Sequence, residues 1–198
     1  MAEINYRNLR EGSAFLVFGQ AFQALVAFAV NLVLVRYIFP NEFGRFALIL
    51  AGASIAYSIV SPRINVLIIR TKDLDYDDTA KDRFFSAMTF EALAATSIIF
   101  FWLAVTGEAG FWESALVGAI GLRHWTDQNK AFYERTMAYR QLALIETGVA
   151  TVGHLSALFL ILTGAGWSVL FIREIIVSVT SLLSLWWIGG LTLRRLRF

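Results

Sequence analysis

Residues 13–39 read SAFLVFGQAFQALVAFAVNLVLVRYIF, and from Ala14 to Val35 not one side chain is charged. A hydrocarbon core about 30 Å thick is crossed by about 20 helical residues. This stretch is therefore long enough to span it and too long for the apolar part of a signal peptide. It also lacks a small-x-small cleavage site, so it is predicted to stay in the protein as a span. Five further runs follow, giving spans at about 13–39, 43–69, 84–105, 110–132, 141–163 and 166–190. The fourth is weaker than the rest. With 58% hydrophobic and 16% charged residues, lipid is the expected main solvent. The expected fold class is all-α: an integral membrane six-helix bundle, one unit over 1–198, with no room for a separate soluble domain.

The basic residues are distributed by side. Arg7 and Arg10 precede span one. Arg70, Lys72, Lys81 and Arg83 follow span two, and Arg123, Lys130, Arg135 and Arg140 follow the start of span four. Arg194, Arg195 and Arg197 come last, so 13 of the 17 Lys and Arg fall on one side. Arg36 and Arg45 fall on the other, and Arg63 and Arg173 lie within spans. The positive-inside rule then places both termini in the cytoplasm. The charges serve topology, and no basic face with stacking aromatics is left for nucleic acid. Aromatics collect at span ends: Tyr37, Phe39, Trp102, Phe111, Trp112 and Trp167 on the outer side, and Phe84, Phe85, Tyr139, Trp186 and Trp187 on the inner. Gly164-Ala165-Gly166 predicts a tight hairpin. Ser61-Pro62 predicts a kink in span two.

Polar residues form stripes at helical spacing. Ser13, Gln20, Gln23 and Asn31 share a face of span one. Ser54, Ser58, Ser61 and Asn65 share one on span two, and Glu174, Ser178, Ser181 and Ser184 one on span six. Such stripes either bond helix to helix or line a hydrated cavity. Six ionisable groups lie within spans: Arg63, Glu91, Glu146, His154, Arg173 and Glu174. Charges at that depth are costly, so each is either a paired structural group or a site. Alanine and glycine neighbours turn Glu91 and Glu146 toward adjacent helices. Arg63 and Glu91 lie at similar depth, where a salt bridge is expected. Glu91, Glu146, His154 and Glu174 are the coupling-ion candidates. In span four, Arg123, Asp127, Lys130 and Glu134 share one face. That helix either projects into the cytoplasm or lines a wet cavity, where Arg123 and Lys130 would reach phosphate oxygens.

Other chemistry is poorly supported. The acidic loop Asp73–Asp78 has Asp78 and Phe84 where an EF-hand needs Gly and Glu. With two His and no Cys there is no metal cluster and no disulfide. No nucleophile elbow, phosphate-cradling glycine loop or spaced Asp motif occurs. Neither a cofactor nor an enzymatic activity is expected.

Two stretches carry a resemblance. Residues 31–50 read NLVLVRYIFPNEFGRFALIL. Their Arg36, Pro40, Phe43 and Gly44 match the first-loop signature of polysaccharide (lipid-linked oligosaccharide) flippases, with Phe39 in place of the usual glycine. From Phe132 to Leu170, Arg-x-x-x-Tyr-Arg-x-Leu-Ala-Leu-Ile-Glu and then Gly-Ala-Gly-Trp-x-x-Leu resemble spans four to six of that family. The resemblance implies a multidrug/oligosaccharidyl-lipid/polysaccharide exporter fold in a bacterial inner (cytoplasmic) membrane. It implies flipping of undecaprenyl-pyrophosphate-linked oligosaccharide by two six-helix lobes around a central, often cationic cavity. This chain matches one lobe, the N-terminal one, and its expected partners are that lipid-linked oligosaccharide, membrane lipid and a second lobe. Six spans is an even number, so a second copy would insert in the same orientation and could pair about an axis along the membrane normal. A missing C-terminal half is the other source of a second lobe. On such a lobe, Arg63, Arg123 and Lys130 would meet the pyrophosphate, and Gln20, Gln23 and Asn31 the sugar hydroxyls, as judged from spacing and depth. A non-transporting subunit of a polysaccharide-assembly complex and an inactive fragment are the alternatives.

Overall fold

The computed structural model describes residues 6–136, 139–189, 191, 193, 194 and 196, with side chains from residue 17 onward. Arg195 and Arg197, and the side chains of Arg7, Arg10 and Ser13, lie outside the described residues. The elements are α1 (Tyr6–Tyr37), α2 (Pro40–Val60), α3 (Ile64–Arg70), α4 (Asp78–Thr106), α5 (Phe111–Glu134), α6 (Tyr139–Leu162) and α7 (Val169–Trp187). Single 3-10 turns precede α4 and α7. No strand occurs among the described residues. Five helices are long and apolar enough to cross a membrane: α1, α2, α4, α6 and α7. The chain is a multi-pass membrane protein of all-α class. Helix α5 has the length, 24 residues or about 36 Å, but its second half is too polar to meet the same criterion.

Local chemistry sets the ends. Pro40 occupies the first turn of α2, where its missing N–H costs nothing. The Glu42 carboxylate accepts the Phe39 N–H at 3.2 Å, and Asp77 caps α4 by accepting Ala80 N–H at 2.7 Å. The α6–α7 hairpin turns through Gly164 and Gly166, both at positive φ, as their spacing predicts.

Span two departs from expectation. It does not bend at Pro62 as one helix but breaks, and α3 starts afresh after Arg63. Proline removes a donor and clashes with the preceding turn. Arg63 completes the break by adopting a left-handed conformation, φ 56° and ψ 49°, which is unusual for a residue with a Cβ.

The helices pack in the order α1, α6, α7, α5, α4, α2, with α3 against α5 and α4. All six long helices meet at one end in an apolar core. Leu34, Ile38, Phe46, Ile49, Ile99, Leu103, Leu116, Ile161 and Phe171 are among its members. Lipid is as apolar as leucine, so close fit and dispersion hold this core together. Phe171 contributes edge contacts to Phe46 and Trp167, with ring centroids 5.5 and 5.4 Å apart. At the same end Arg45 binds Glu108 at 2.7 Å and the buried Glu113 at 3.1 Å. Below this core, α6 and α7 stay close because Gly153 leaves no room for a Cβ beside Val177.

At the opposite end a smaller apolar cluster, Ile64, Ile68, Phe85, Met88, Ala131 and Phe132, joins α3, α4 and α5. Arg135 clamps it. The guanidinium donates to the carbonyls of Ile68 at 2.7 Å and Ile69 at 3.3 Å, binds Asp73 at 2.6 Å and lies 4.0 Å from the Tyr76 ring centroid. Burial pushes the Tyr76 phenol above its ordinary range, against the pull of Arg135 and Arg194. The ring therefore stays neutral beneath the cation.

Candidate functional site

At this second end α1, α5, α6 and α7 enclose a cavity of about 310 Å³. Gln23, Arg123, Asp127, Lys130, Glu134, Glu146 and Ser181 supply its polar lining. Helix α5 does not project away from the bundle. Its charged face lines the cavity, with Lys130 buried and Arg123 and Asp127 about half exposed to it. The inner half of span four lines a polar cavity within the bundle.

The charges form a chain of alternating sign. Arg173 Nη2 donates to Glu174 Oε1 at 2.7 Å, and Arg123 Nη1 donates to Glu174 Oε2 at 3.2 Å. Arg123 Nε stands 3.9 Å from Asp127 Oδ2. Lys130 Nζ donates to Asp127 Oδ1 at 2.6 Å and to Glu146 Oε1 at 3.4 Å. Pairing of this kind is what lets ionised groups sit inside a bundle. It also leaves the cavity without a net positive field: two cations face three carboxylates in its lining.

A second cleft, about 420 Å³, opens at the α2–α3 break. Its lining comprises Ser61, Arg63, Asn65, Val66, His124, Asp127 and Gln128. Among the described residues, Asp127 is the one that lines both spaces. Arg63 is exposed here and makes no ion pair among the described residues. The expected Arg63–Glu91 bridge is not formed. Glu91, 3% exposed, turns to α5 instead. Its Oε1 lies 2.9 Å from His124 Nε2 and accepts from Gln128 Nε2 at 2.7 Å. Tyr57 of α2 stacks on the His124 ring at 4.1 Å and bonds Thr96 of α4 at 2.7 Å. A nearby histidine and amide satisfy one carboxylate oxygen where an arginine was expected, because the helix break carries Arg63 outward. Glu91 Oε2 has no hydrogen-bond partner among the described residues.

The remaining predicted residues divide. Gln23 lines the cavity and donates to Thr147 of α6 at 3.2 Å. Gln20 and Asn31 are exposed on α1. On α2, Ser54 and Ser58 are exposed as well. On α7 the stripe faces inward, with Glu174, Ser178 and Ser181 buried. Glu146 and Ala150 line the cavity, as the small-residue face of α6 implies. His154 is half-buried, and its Nδ1 has no partner among the described residues. Thus Gln23, Arg123, Lys130 and Glu146 share one cavity, Arg63 borders the second, and Gln20, Asn31, Glu91, His154 and Glu174 line neither. Tyr57, His124 and Gln128 were missed as site neighbours. His124 directly follows Arg123 and sits three residues before Asp127, a polar density that a cytoplasmic projection would also have explained.

Comparison with known proteins assigns the family. A family model described as "Polysaccharide biosynthesis protein" matches residues 33–196. This chain belongs to the polysaccharide biosynthesis protein family. The match takes in the whole Arg36–Gly44 loop signature and the whole Phe132–Leu170 stretch. It therefore covers α2 to α7 and the end of α1, and with them every lining residue of the two cavities except Gln23. No curated protein and no solved structure gives a significant match. Membership in the family agrees with a polysaccharide-exporting membrane protein, and the alternating charges above are features of this member's own residues.

Proposed function

We propose that this chain is one six-span lobe of an alternating-access flippase. It would carry undecaprenyl-pyrophosphate-linked oligosaccharide across a bacterial inner membrane, with both termini in the cytoplasm. One observation carries the reading: the bundle is sealed at one end by an apolar core from all six long helices, and at the other it parts around a polar cavity. The positive-inside count assigns the open end to the cytoplasm. The sugar–pyrophosphate group would enter there, with Arg123 and Lys130 near the anion and Gln23 near hydroxyls. The exposed polar flank of Gln20, Asn31, Ser54 and Ser58 would face the second lobe, supplied by another copy or by further chain. Polar side chains in a span avoid lipid. Glu91, Glu146, His154 and Glu174 are the groups through which a coupling ion would act.

The test is reconstitution of the chain in vesicles holding a fluorescent lipid-linked oligosaccharide, with a membrane-impermeant quencher reporting leaflet exchange. Protein-dependent exchange is expected, together with a dimer or a second-lobe partner trapped by crosslinking in native membranes. No exchange in the presence of a trapped partner would instead support a non-transporting assembly subunit. The observation favouring that second reading is that both cations in the cavity are already paired.

A further inference from the structure

The cavity poses a problem for any anionic ligand. Its lining holds Arg123 and Lys130 against Asp127, Glu134 and Glu146, a formal net charge of −1. Lys130 has a side chain only 10% exposed, and two of its three donors are taken by Asp127 and Glu146. An entering phosphate-type group would meet carboxylates before it met a free cation, and like charges at such range repel. At least one carboxylate must move aside before the cations can serve an anion.

Among the described residues, Asp127 is the lining carboxylate within ion-pair distance of both cations, Arg123 at 3.9 Å and Lys130 at 2.6 Å, whereas Glu134 forms no ion pair. Glu174 is held by two arginines and is buried, so it is the least free to leave. Glu146 belongs to α6 and, among the described residues, pairs with Lys130 alone, at 3.4 Å. Asp127 differs from both. Its contact to Lys130 is the shorter of that lysine's two, its side chain is 46% exposed, and it also borders the cleft at the helix break. Arg63 waits in that cleft without an ion pair among the described residues, held outward by its left-handed backbone.

We propose that Asp127 is a built-in competitor for the anion. In the ligand-free cavity it occupies Lys130 and neutralises Arg123; when a phosphate-type anion arrives it yields those cations and turns across α5 toward Arg63. The exchange keeps every charge paired. Lys130 and Arg123 trade a carboxylate for the ligand, and the displaced carboxylate takes the unpaired guanidinium. Binding on one side of α5 is thereby linked to an ion pair at the α2–α3 break on the other. Such a device makes the site selective: a neutral polyol gains nothing from Lys130, while a multiply charged anion outcompetes one carboxylate. The inference rests on the proposal that the cavity receives the anionic part of a lipid-linked sugar.

The experiment is calorimetric titration of inorganic pyrophosphate into the full chain in nanodiscs of neutral lipid. The isosteric Asp127→Asn should bind roughly tenfold more tightly than wild type, and Lys130→Gln roughly tenfold more weakly. Arg63→Gln should weaken binding severalfold in the wild-type background and have no effect in the Asp127→Asn background, because no carboxylate then needs the guanidinium. Thermal unfolding of each variant confirms an intact bundle. Asp127→Asn binding no tighter than wild type, additive effects of Arg63→Gln and Asp127→Asn, or no binding to any variant would each overturn the proposal. A chain that shows this cycle but exchanges no lipid in vesicles that also hold its trapped partner would defeat the flippase reading and leave Asp127's role standing. Exchange without the cycle would do the reverse.

Discussion

Glu91 shows how a buried charge is kept at a tolerable cost. Two neighbours one helical turn apart on α5, His124 and Gln128, converge on a single carboxylate oxygen. Tyr57 covers the imidazole from α2. Removing one partner of a buried polar group costs more than replacing the group itself with a neutral isostere. His124→Ala, which strips the carboxylate of a partner and the tyrosine of its stack, is therefore expected to destabilise the bundle by about 2–3 kcal/mol. Glu91→Gln, which keeps an acceptor for Gln128, is expected to cost about 1 kcal/mol or less. Unfolding in detergent, followed by tryptophan fluorescence, measures both. Equal losses would mean that the network acts through packing alone. Glu91 was recognisable from sequence as a group turned toward a neighbouring helix, because alanines share its face. Its partner was not. Arg63 lies at similar depth and has the stronger charge, yet the backbone at Pro62 points it elsewhere.

At the scale of elements, the break between α2 and α3 is decided by three consecutive residues. Pro62 ends the hydrogen-bond ladder, Ser61 Oγ accepts the Arg63 N–H at 3.2 Å, and Arg63 turns left-handed. A glycine tolerates that conformation without strain, and a β-branched residue does not. Arg63→Gly is expected to change stability by less than about 1 kcal/mol, whereas Arg63→Val should cost about 1–3 kcal/mol. Comparing the two by thermal unfolding isolates backbone strain from the loss of charge, since both remove the guanidinium. Proline made an interruption here legible in advance. That it would be a clean break, with α3 docked on α5 by Ile64, Ile68 and the Arg135 clamp, depended on partners some 65 residues away. Helix α5 teaches the same lesson. Its charged face was visible as a period, but a period states only which side chains point together, not whether that direction is water or protein.

For the whole molecule, the absence of cysteine makes topology directly measurable. Single cysteines at Leu74, nearly fully exposed in the turn before α4, and at Glu108, in the α4–α5 connection, should react with an impermeant maleimide from opposite sides of a sealed membrane. A cysteine at Gln23 should react only from the Leu74 side, through the polar cavity. Labelling of Leu74 and Glu108 from the same side would overturn the span count, and complete protection of Gln23 in both orientations would argue that α1 and α6 are sealed there.

The chain by itself determined that this is a multi-pass all-α membrane protein, because runs of about 20 uncharged residues can satisfy their backbone in lipid only as helices. The same linear record carried the loop signature and the stripes. Only the tertiary structure decided which stripes face inward: that of α7 does, and Gln20, Asn31, Ser54 and Ser58 do not. It alone brought Asp127 between two cavities and paired Arg123 and Lys130 in the one that α1, α5, α6 and α7 enclose. Those outcomes depend on how each helix is rotated against neighbours distant in sequence. That rotation is set by close packing at positions such as Gly153 and Val177, not by any helix on its own.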